Sequence, residues 1–395
     1  AASTTSTIEY EEEPFQSIKG RILEITQELA PSISSKKIGI DRMKGGGFNR
    51  VVAITIDRKS WYPFSLQSIK HLISFCFGIG RDIKDVEEYI LRIPRLNTGT
   101  MPHDIVTLEF VRRYFKHPIP RVVLHNATAN NPLKKAFMVQ ERLPGESLDR
   151  LWDKLNAAQR KNIVQKIINI HLDLQNITNR HAGIVSIDNS MLDLNTGPVK
   201  LETLPVPLPG QRNPRFEKPY TTPATHTTTK DMLSSMCERW REYEQTCWGD
   251  FVQNDIWDGF LRIIEVLHKL HLIPDKDSFH LCHMDFQMRN ILGLIKSDTS
   301  VQITGILDWD SAIFAPKFFS YRAPYFLWDN DDSSEEDETC TLIVPEDAEK
   351  KMYKDLYERS VHPGQLRYAY SPEFIIARRM FRVLLQGVSS QWNID

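Results

Sequence analysis

Apolar positions follow two different rhythms along this chain. Up to about residue 140 they mostly alternate or run in short blocks, and beyond Leu148 they recur every three or four residues. After a polar, acidic tail, Ile18, Ile22, Ile25 and Leu29 fall at helical spacing and predict a short amphipathic helix over Phe15 to Leu29. "IGIDRMKGGGFNRVVAITID" (38–57) reads as strand, glycine turn, strand. "EEYILRIPR" is a further strand, "HDIVTLEFVRRYF" an amphipathic helix, and "KAFMVQERLPG" a strand running into a turn. "LWDKLNAAQRKNIVQKIINIHLDLQNI" then supplies one or two helices. Helices are also expected at "DMLSSMCERWREYEQ", "FLRIIEVLHKLHLI", "PEDAEKKMYKDLYERS" and "SPEFIIARRMFRVLLQGV", with a strand entering a turn at "VQITGILDWDSAI". Between them, residues 204–230 are rich in Pro and Thr and read as a long irregular loop. "DNDDSSEEDE" is an acidic surface segment, and no internal repeat is visible.

Composition narrows the class. A chain of 395 residues is too long for one small core and suggests two lobes. Hydrophobic content of 41% and charged content of 25% are ordinary for a globular enzyme. A net charge of -2 gives no basic field of the kind that nucleic acid requires, so nucleic acid is not expected as a partner. No apolar run reaches the roughly 18 to 20 residues of a membrane span, so none is expected. The five cysteines form no CxxC pair and point to free thiols in a reducing compartment, with neither a zinc site nor a disulfide framework. A cytoplasmic location is therefore expected. "AASTTSTIEYEEE" lacks both a signal-peptide pattern and an initiator Met, which leaves mitochondrial targeting open.

The chemistry concentrates in "LCHMDFQMRNILG" (281–293), where His283, Asp285, Arg289 and Asn290 lie between apolar runs. An Asp and an Asn held five residues apart on such a loop are costly unless they bind something. About twenty residues later "GILDWD" places Asp308 at the end of an apolar strand. Phosphoryl transfer to a hydroxyl needs such a set: a carboxylate that deprotonates the acceptor, and an amide and a second carboxylate that hold Mg²⁺ on the phosphates. The plainer readings are a turn cap for Asp310 and core packing for Trp309.

With these motifs the chain resembles the aminoglycoside phosphotransferase-type family of small-molecule kinases, and is most similar to fungal members of uncertain substrate. The resemblance runs from about Ile38 to the C-terminal helices. It implies an α+β, protein-kinase-like two-lobe fold, with a small strand-rich N-lobe, a larger helical C-lobe and ATP·Mg²⁺ in the cleft. The expected domains are a tail and helix over 1–30, the N-lobe over 31–143 and the C-lobe over 144–395. "HMDFQMRN" matches the family's HxDxxxxN catalytic loop, which implies Asp285 as catalytic base, Asn290 as a Mg²⁺ ligand and His283 as a brace. "ILDWD" matches the strand-end metal element and implies Asp308 as the main Mg²⁺ ligand. "KGGGFN" would cover the ATP phosphates with Gly45, Gly46 and Gly47, although a simple hairpin turn reads the same way. Backbone groups from Gln140 to Arg142 would hold the adenine edge.

Three departures stand out. Arg92 occupies the place of the usual phosphate-binding Lys, with Glu109 as its expected ionic partner, and Arg is bulkier and planar. Phe286, Gln287, Met288 and Arg289 replace the usual Leu-His-Pro-Gly, and Arg289 could meet an anionic substrate group or an acidic segment. An apolar, aromatic stretch over about 59–79 interrupts an expected hairpin. It reads as an insertion foreign to the family pattern, such as a translated intron, or as a membrane- or partner-binding loop. The expected activity is ATP-dependent phosphorylation of a hydroxylated small molecule. The alternative is a weak or inactive pseudokinase that binds nucleotide or a partner protein. No motif names the substrate or the oligomeric state.

Overall fold

The computed structural model describes residues 12–43, 45–58, 85–96, 99–188, 199–208, 219–249, 252–329 and 338–388. The stretch 59–79 and most of the acidic tail and of the acidic segment lie outside them. The described residues divide into two compact units, one drawn from 1–97 and 121–142, the other from 98–120 and 143–395.

The first unit is a five-stranded antiparallel sheet with one helix. The strands are β1 (Ile38–Arg42), β2 (Asn49–Asp57), β3 (Val86–Pro94), β4 (Val122–Asn126) and β5 (Phe137–Glu141), in the order β1-β2-β3-β5-β4. Helix α1 (Phe15–Leu29) lays Ile18, Ile22 and Ile25 against one face, where Val52, Ile54, Ile56, Leu91, Ile93 and Val139 alternate inward. Full burial of each such side chain stabilises by roughly 1.5–3 kcal/mol, so this interface holds the helix on the sheet. Register then fixes the other face. Arg92 stands opposite Val51 and Met138, and Ile90 opposite Ala53 and Gln140. Arg92 and Gln140, two expected nucleotide residues, therefore share the face turned away from α1. The edge strand β4 was not legible in the sequence, because its apolar run is only Val122 to Leu124.

The second unit is mainly helical. Its helices are α2 (Met101–Tyr114), α3 (Leu148–Leu151), α4 (Ala157–Gln175), α5 (Thr229–Trp248), α6 (Asn254–Lys269), α7 (Lys317–Ser320), α8 (Ala348–Ser360), α9 (Pro363–Tyr370) and α10 (Pro372–Gln386). The break inside 151–177 is made by Asn156. Its side chain accepts the Gln159 N–H at 2.9 Å while the Gln159 side chain accepts the Asn156 N–H at 3.0 Å, so a new helix starts there. Short strands join the helices: β6 (Glu146–Ser147), β7 (Thr178–Asn179), β8 (Ile184–Val185), β9 (Leu201–Glu202), β10 (Val206–Pro207) and β11 (Pro219–Tyr220). The last two pair with each other, so the described flanks of the expected irregular loop form a small ribbon. Four further strands carry the site: β12 (Phe279–Cys282), β13 (Ile291–Ser297), β14 (Ser300–Ile306) and β15 (Ile313–Ala315). The α+β class expected from the sequence is the one observed. No helix among the described residues is long and apolar enough to cross a membrane.

Candidate active site

The loop that carries Asp285 is suspended between two strands. All four residues of β12 are buried, and it pairs with β7 and β15. Ile291 at the start of β13 pairs with Ile306 at the end of β14. This hairpin brings residue 290 beside residue 307: the Leu307 N–H donates to the Asn290 carbonyl at 2.8 Å. The sequence separation of Asp285 and Asp308 is thereby closed through the β13–β14 turn.

His283 completes the connection. It is only 3% exposed, and its Nε2 lies 2.7 Å from the Leu307 carbonyl oxygen. Its Nδ1 accepts the Asp285 backbone N–H at 3.2 Å. These two bonds select the neutral tautomer with the proton on Nε2. Burial holds the imidazole pKa below its usual value despite the nearby Asp308 and Asp285 charges. His283 therefore braces the loop, as the family resemblance implies, and Trp309 lies against it with ring centroids 4.6 Å apart. Trp309 is fully buried and donates from its indole to Ile306 O at 3.0 Å, which is the packing role read for it.

Asp285 is held on two sides. The Asn290 amide nitrogen donates to the Asp285 carbonyl at 2.9 Å and to Oδ2 at 2.7 Å. Two acceptors on one amide atom identify it as Nδ2, which leaves Oδ1 as the acceptor end. Arg289 donates from its guanidinium to Asp285 Oδ1 at 2.6 Å. This pair is about half exposed, so it orients the carboxylate more than it stabilises the fold. Asp308 is exposed and sits at φ 63°, a left-handed conformation that costs roughly 1–2 kcal/mol for most residues and that Asp tolerates better. Among the described residues no three His, Cys, Asp or Glu side chains gather as a metal cage. A divalent cation here would rest on Asn290 Oδ1, the Asp308 carboxylate and oxygens that arrive with it. Such a sparse, hard-oxygen set suits Mg²⁺, which keeps several waters and phosphate oxygens.

Asp285 also lines a cavity of about 1130 Å³ inside the second unit, together with Leu281, Phe286, Asp310, Arg322, Tyr325 and Arg382. Cys282 lies in the same wall, but burial pushes its thiol pKa up to about 11, so it is not a nucleophile at neutral pH. No sequence pattern marks Arg322 or Arg382. Each is a lone cation in an unremarkable context, and only tertiary packing brings them to Asp285.

The remaining expected residues lie elsewhere. Gly45, Gly46 and Gly47 form the β1–β2 turn, as the spacing predicts. A Cβ on Gly45 would come within 2.6 Å of the Asn49 carbonyl, so this position needs glycine for close backbone approach. Arg95 donates from Nε to Gly46 O at 3.0 Å and pairs with buried Glu12 at 2.8 Å, which ties the turn to the body of the sheet. Arg142 pairs with Glu88 at 3.0 Å. The Glu141 and Arg142 backbone N–H groups donate to Arg121 O and Glu88 O, so two donors that the hinge reading would draw on are used within this unit. Glu109, on α2 in the second unit, lies 3.8 Å from Arg112.

A family model described as the phosphotransferase enzyme family matches residues 81–317, more than half of the chain. The chain belongs to this family, and its described residues form an α+β fold. Among curated proteins, a subtelomeric hrmA-associated cluster protein of Aspergillus fumigatus is 33% identical over 88 residues, which are 21% of this chain and 17% of that protein. The mitochondrial "altered inheritance of mitochondria protein 9" of Candida glabrata is 23% identical over 138 residues, 29% of this chain and 21% of that one. The match thus spans about a fifth of each curated relative's length. Among solved structures, the aminoglycoside phosphotransferase APH(4)-Ia covers 93% of this chain and 92% of its own, at 15% identity and a TM-score of 0.47. The GDP and kanamycin complex of APH(2")-IIIa gives 12% identity, 94% and 95% coverage and a TM-score of 0.45.

Proposed function

We propose that the protein transfers the γ-phosphoryl group of ATP to a hydroxyl of a small molecule. The observation that carries this reading is the placement of the Asp285 carboxylate. It stands in the wall of a large cavity, gripped by Asn290 and braced through His283 to the strand end that bears Asp308. Asp285 takes the hydroxyl proton as the acceptor oxygen bonds to the γ-phosphorus. The bond from that phosphorus to the β–γ bridging oxygen breaks, and its electron pair leaves with ADP. Asn290 keeps Asp285 oriented through Nδ2 and has Oδ1 available for a cation shared with Asp308. Mg²⁺ bound there would neutralise phosphate charge. In the first unit, the backbone of Gly45, Gly46 and Gly47 and the Arg92 side chain would meet the phosphates, with Gln140 on the same sheet face as Arg92.

A panel of hydroxylated metabolites and antibiotics, assayed for ADP release, tests this. At least one acceptor should stimulate release, and Asp285→Asn should remove the stimulation. A second reading is nucleotide binding without turnover, favoured by Arg289 on the base and by Arg92 in place of Lys. Mg²⁺-dependent ATP binding with no ADP release from any acceptor would replace the first reading with the second.

A further inference from the structure

Formal charges on the cavity wall are equal in number, with Asp104, Asp285 and Asp310 set against three arginines, but they are unequally paired. Arg322, Arg379 and Arg382 all line it. Behind them Glu338, only 2% exposed, is paired with both Arg378 and Arg382. Burial alone would raise the Glu338 pKa, yet the charges of Arg378, Arg382 and Arg322 leave it lowered. Two guanidinium groups thus share one carboxylate, and Arg322 acts on it only through its longer-range charge. Arg378 is compensated further by the Phe318, Tyr368 and Ala369 carbonyls. Arg322 is not. Its guanidinium carbon lies 5.4 Å from the Phe319 ring centroid, and among the described residues no carboxylate lies within ion-pair distance of it.

Arg322 is also linked to the catalytic loop. Phe286, next to Asp285, stacks on His171 at 6.1 Å between centroids. The His171 Nε2 lies 2.9 Å from the Arg322 carbonyl oxygen. Burial holds the His171 pKa down at about 4, so this link adds no charge at neutral pH. The wall's carboxylates are engaged: Asp285 by Arg289, while Asp104 and Asp310 have partners of their own. A polycationic acceptor would find arginines where it needs open carboxylates.

We infer that the acceptor carries an anionic group, a carboxylate or a phosphate, and that Arg322 receives it while the hydroxyl meets Asp285. This deepens the kinase reading and rests on it for the occupant's being the phosphoryl acceptor. A half-buried guanidinium with no carboxylate partner is costly to leave unmatched, and it binds either anion through its planar fork of donors.

Four probes on one sugar scaffold test the idea: glucose 6-phosphate, glucuronate, glucose and glucosamine, titrated calorimetrically against the full chain. One or both anionic sugars should bind about tenfold to hundredfold more tightly than glucose, which corresponds to one or two charge-assisted hydrogen bonds. Which of the two binds better separates the phosphate from the carboxylate source. Arg322→Gln should remove the difference and Arg322→Lys should restore part of it, with melting temperatures reporting that both variants fold. Anions that bind no tighter than glucose, or a preference untouched by Arg322→Gln, would overturn the inference. ADP release is read separately. Anion preference without any turnover sinks the kinase reading alone, whereas turnover of a neutral or cationic acceptor at equal rates in wild type and Arg322→Gln sinks this inference alone.

Discussion

His283 and Leu307 are joined by a 2.7 Å hydrogen bond between the imidazole and the carbonyl that precedes Asp308. One side chain thereby ties the loop that bears Asp285 to the strand end that carries Asp308. His283→Ala removes this bond and strands the half-buried Leu307 carbonyl. A loss of about 2–4 kcal/mol in unfolding free energy is expected, measured by urea titration. A loss below about 0.5 kcal/mol would mean that the bond is not a structural brace.

Two buried histidines set an acid limit on stability. Burial holds His171 down to about 4 and also lowers His283. In the unfolded chain a histidine titrates near 6.5, so the unfolded state takes up protons first as the pH falls. Their contribution is therefore complete above pH 6.5 and is lost progressively as the pH drops toward 4. For His171 alone this is worth about 3 kcal/mol. Urea midpoints between pH 8 and pH 4 should decline in wild type, and less steeply in His171→Gln. A parallel decline in both would place the titrating groups elsewhere.

Asp285 and Asp308 should separate in their effects. Asp285→Asn leaves the nucleotide-facing groups intact, so turnover should fall by about 10²- to 10⁴-fold with ATP affinity nearly unchanged. Asp308→Asn should weaken both, because that carboxylate is proposed to reach the phosphates through the cation. Single-turnover rates and ATP titrations on the two variants decide. Equal damage to ATP affinity in both would dissolve the distinction.

Neighbouring glycines in the β1–β2 turn should respond differently to alanine. At Gly45 a Cβ meets the Asn49 backbone oxygen at 2.6 Å, whereas at Gly46 nothing lies within 4 Å. Gly45→Ala should cost about 1–3 kcal/mol and weaken ATP binding as the turn shifts. Gly46→Ala should leave the melting temperature in place. Indistinguishable melting curves for the two variants would show that the turn relaxes freely.

The Glu338 carboxylate is the buried counter-charge for Arg378 and Arg382. Glu338→Gln leaves both guanidiniums without it and should destabilise by about 3–5 kcal/mol. Differential scanning calorimetry gives the number. A variant as stable as the parent would mean that carbonyl acceptors suffice for Arg378.

Much of the site was legible because its logic is local. The Asp285–Asn290 spacing and the strand end at Asp308 are sequence patterns, whereas the β13–β14 hairpin that unites them was read only in its second strand. The β1–β2 turn was legible for the same reason. The strand β4 was missed because three apolar residues carry too little periodicity to stand out. The cavity wall was missed because Arg322, Arg382 and His171 are single residues far apart in the sequence.

The sequence by itself marked most of the helices and strands, and it placed Asp285, Asn290 and Asp308 in the motifs from which the catalytic proposal starts. Periodicity, capping and short-range motifs act over distances that a linear reading can see. Only the tertiary structure decided that His283 would clamp Leu307, that Arg289 would hold Asp285, and that Arg378 and Arg382 would share Glu338 beside the cavity. Those contacts depend on long-range packing, which sets the distances and burial on which electrostatic energies depend. They set the charge along the cavity wall, whereas the local motifs set the spacing of Asp285, Asn290 and Asp308.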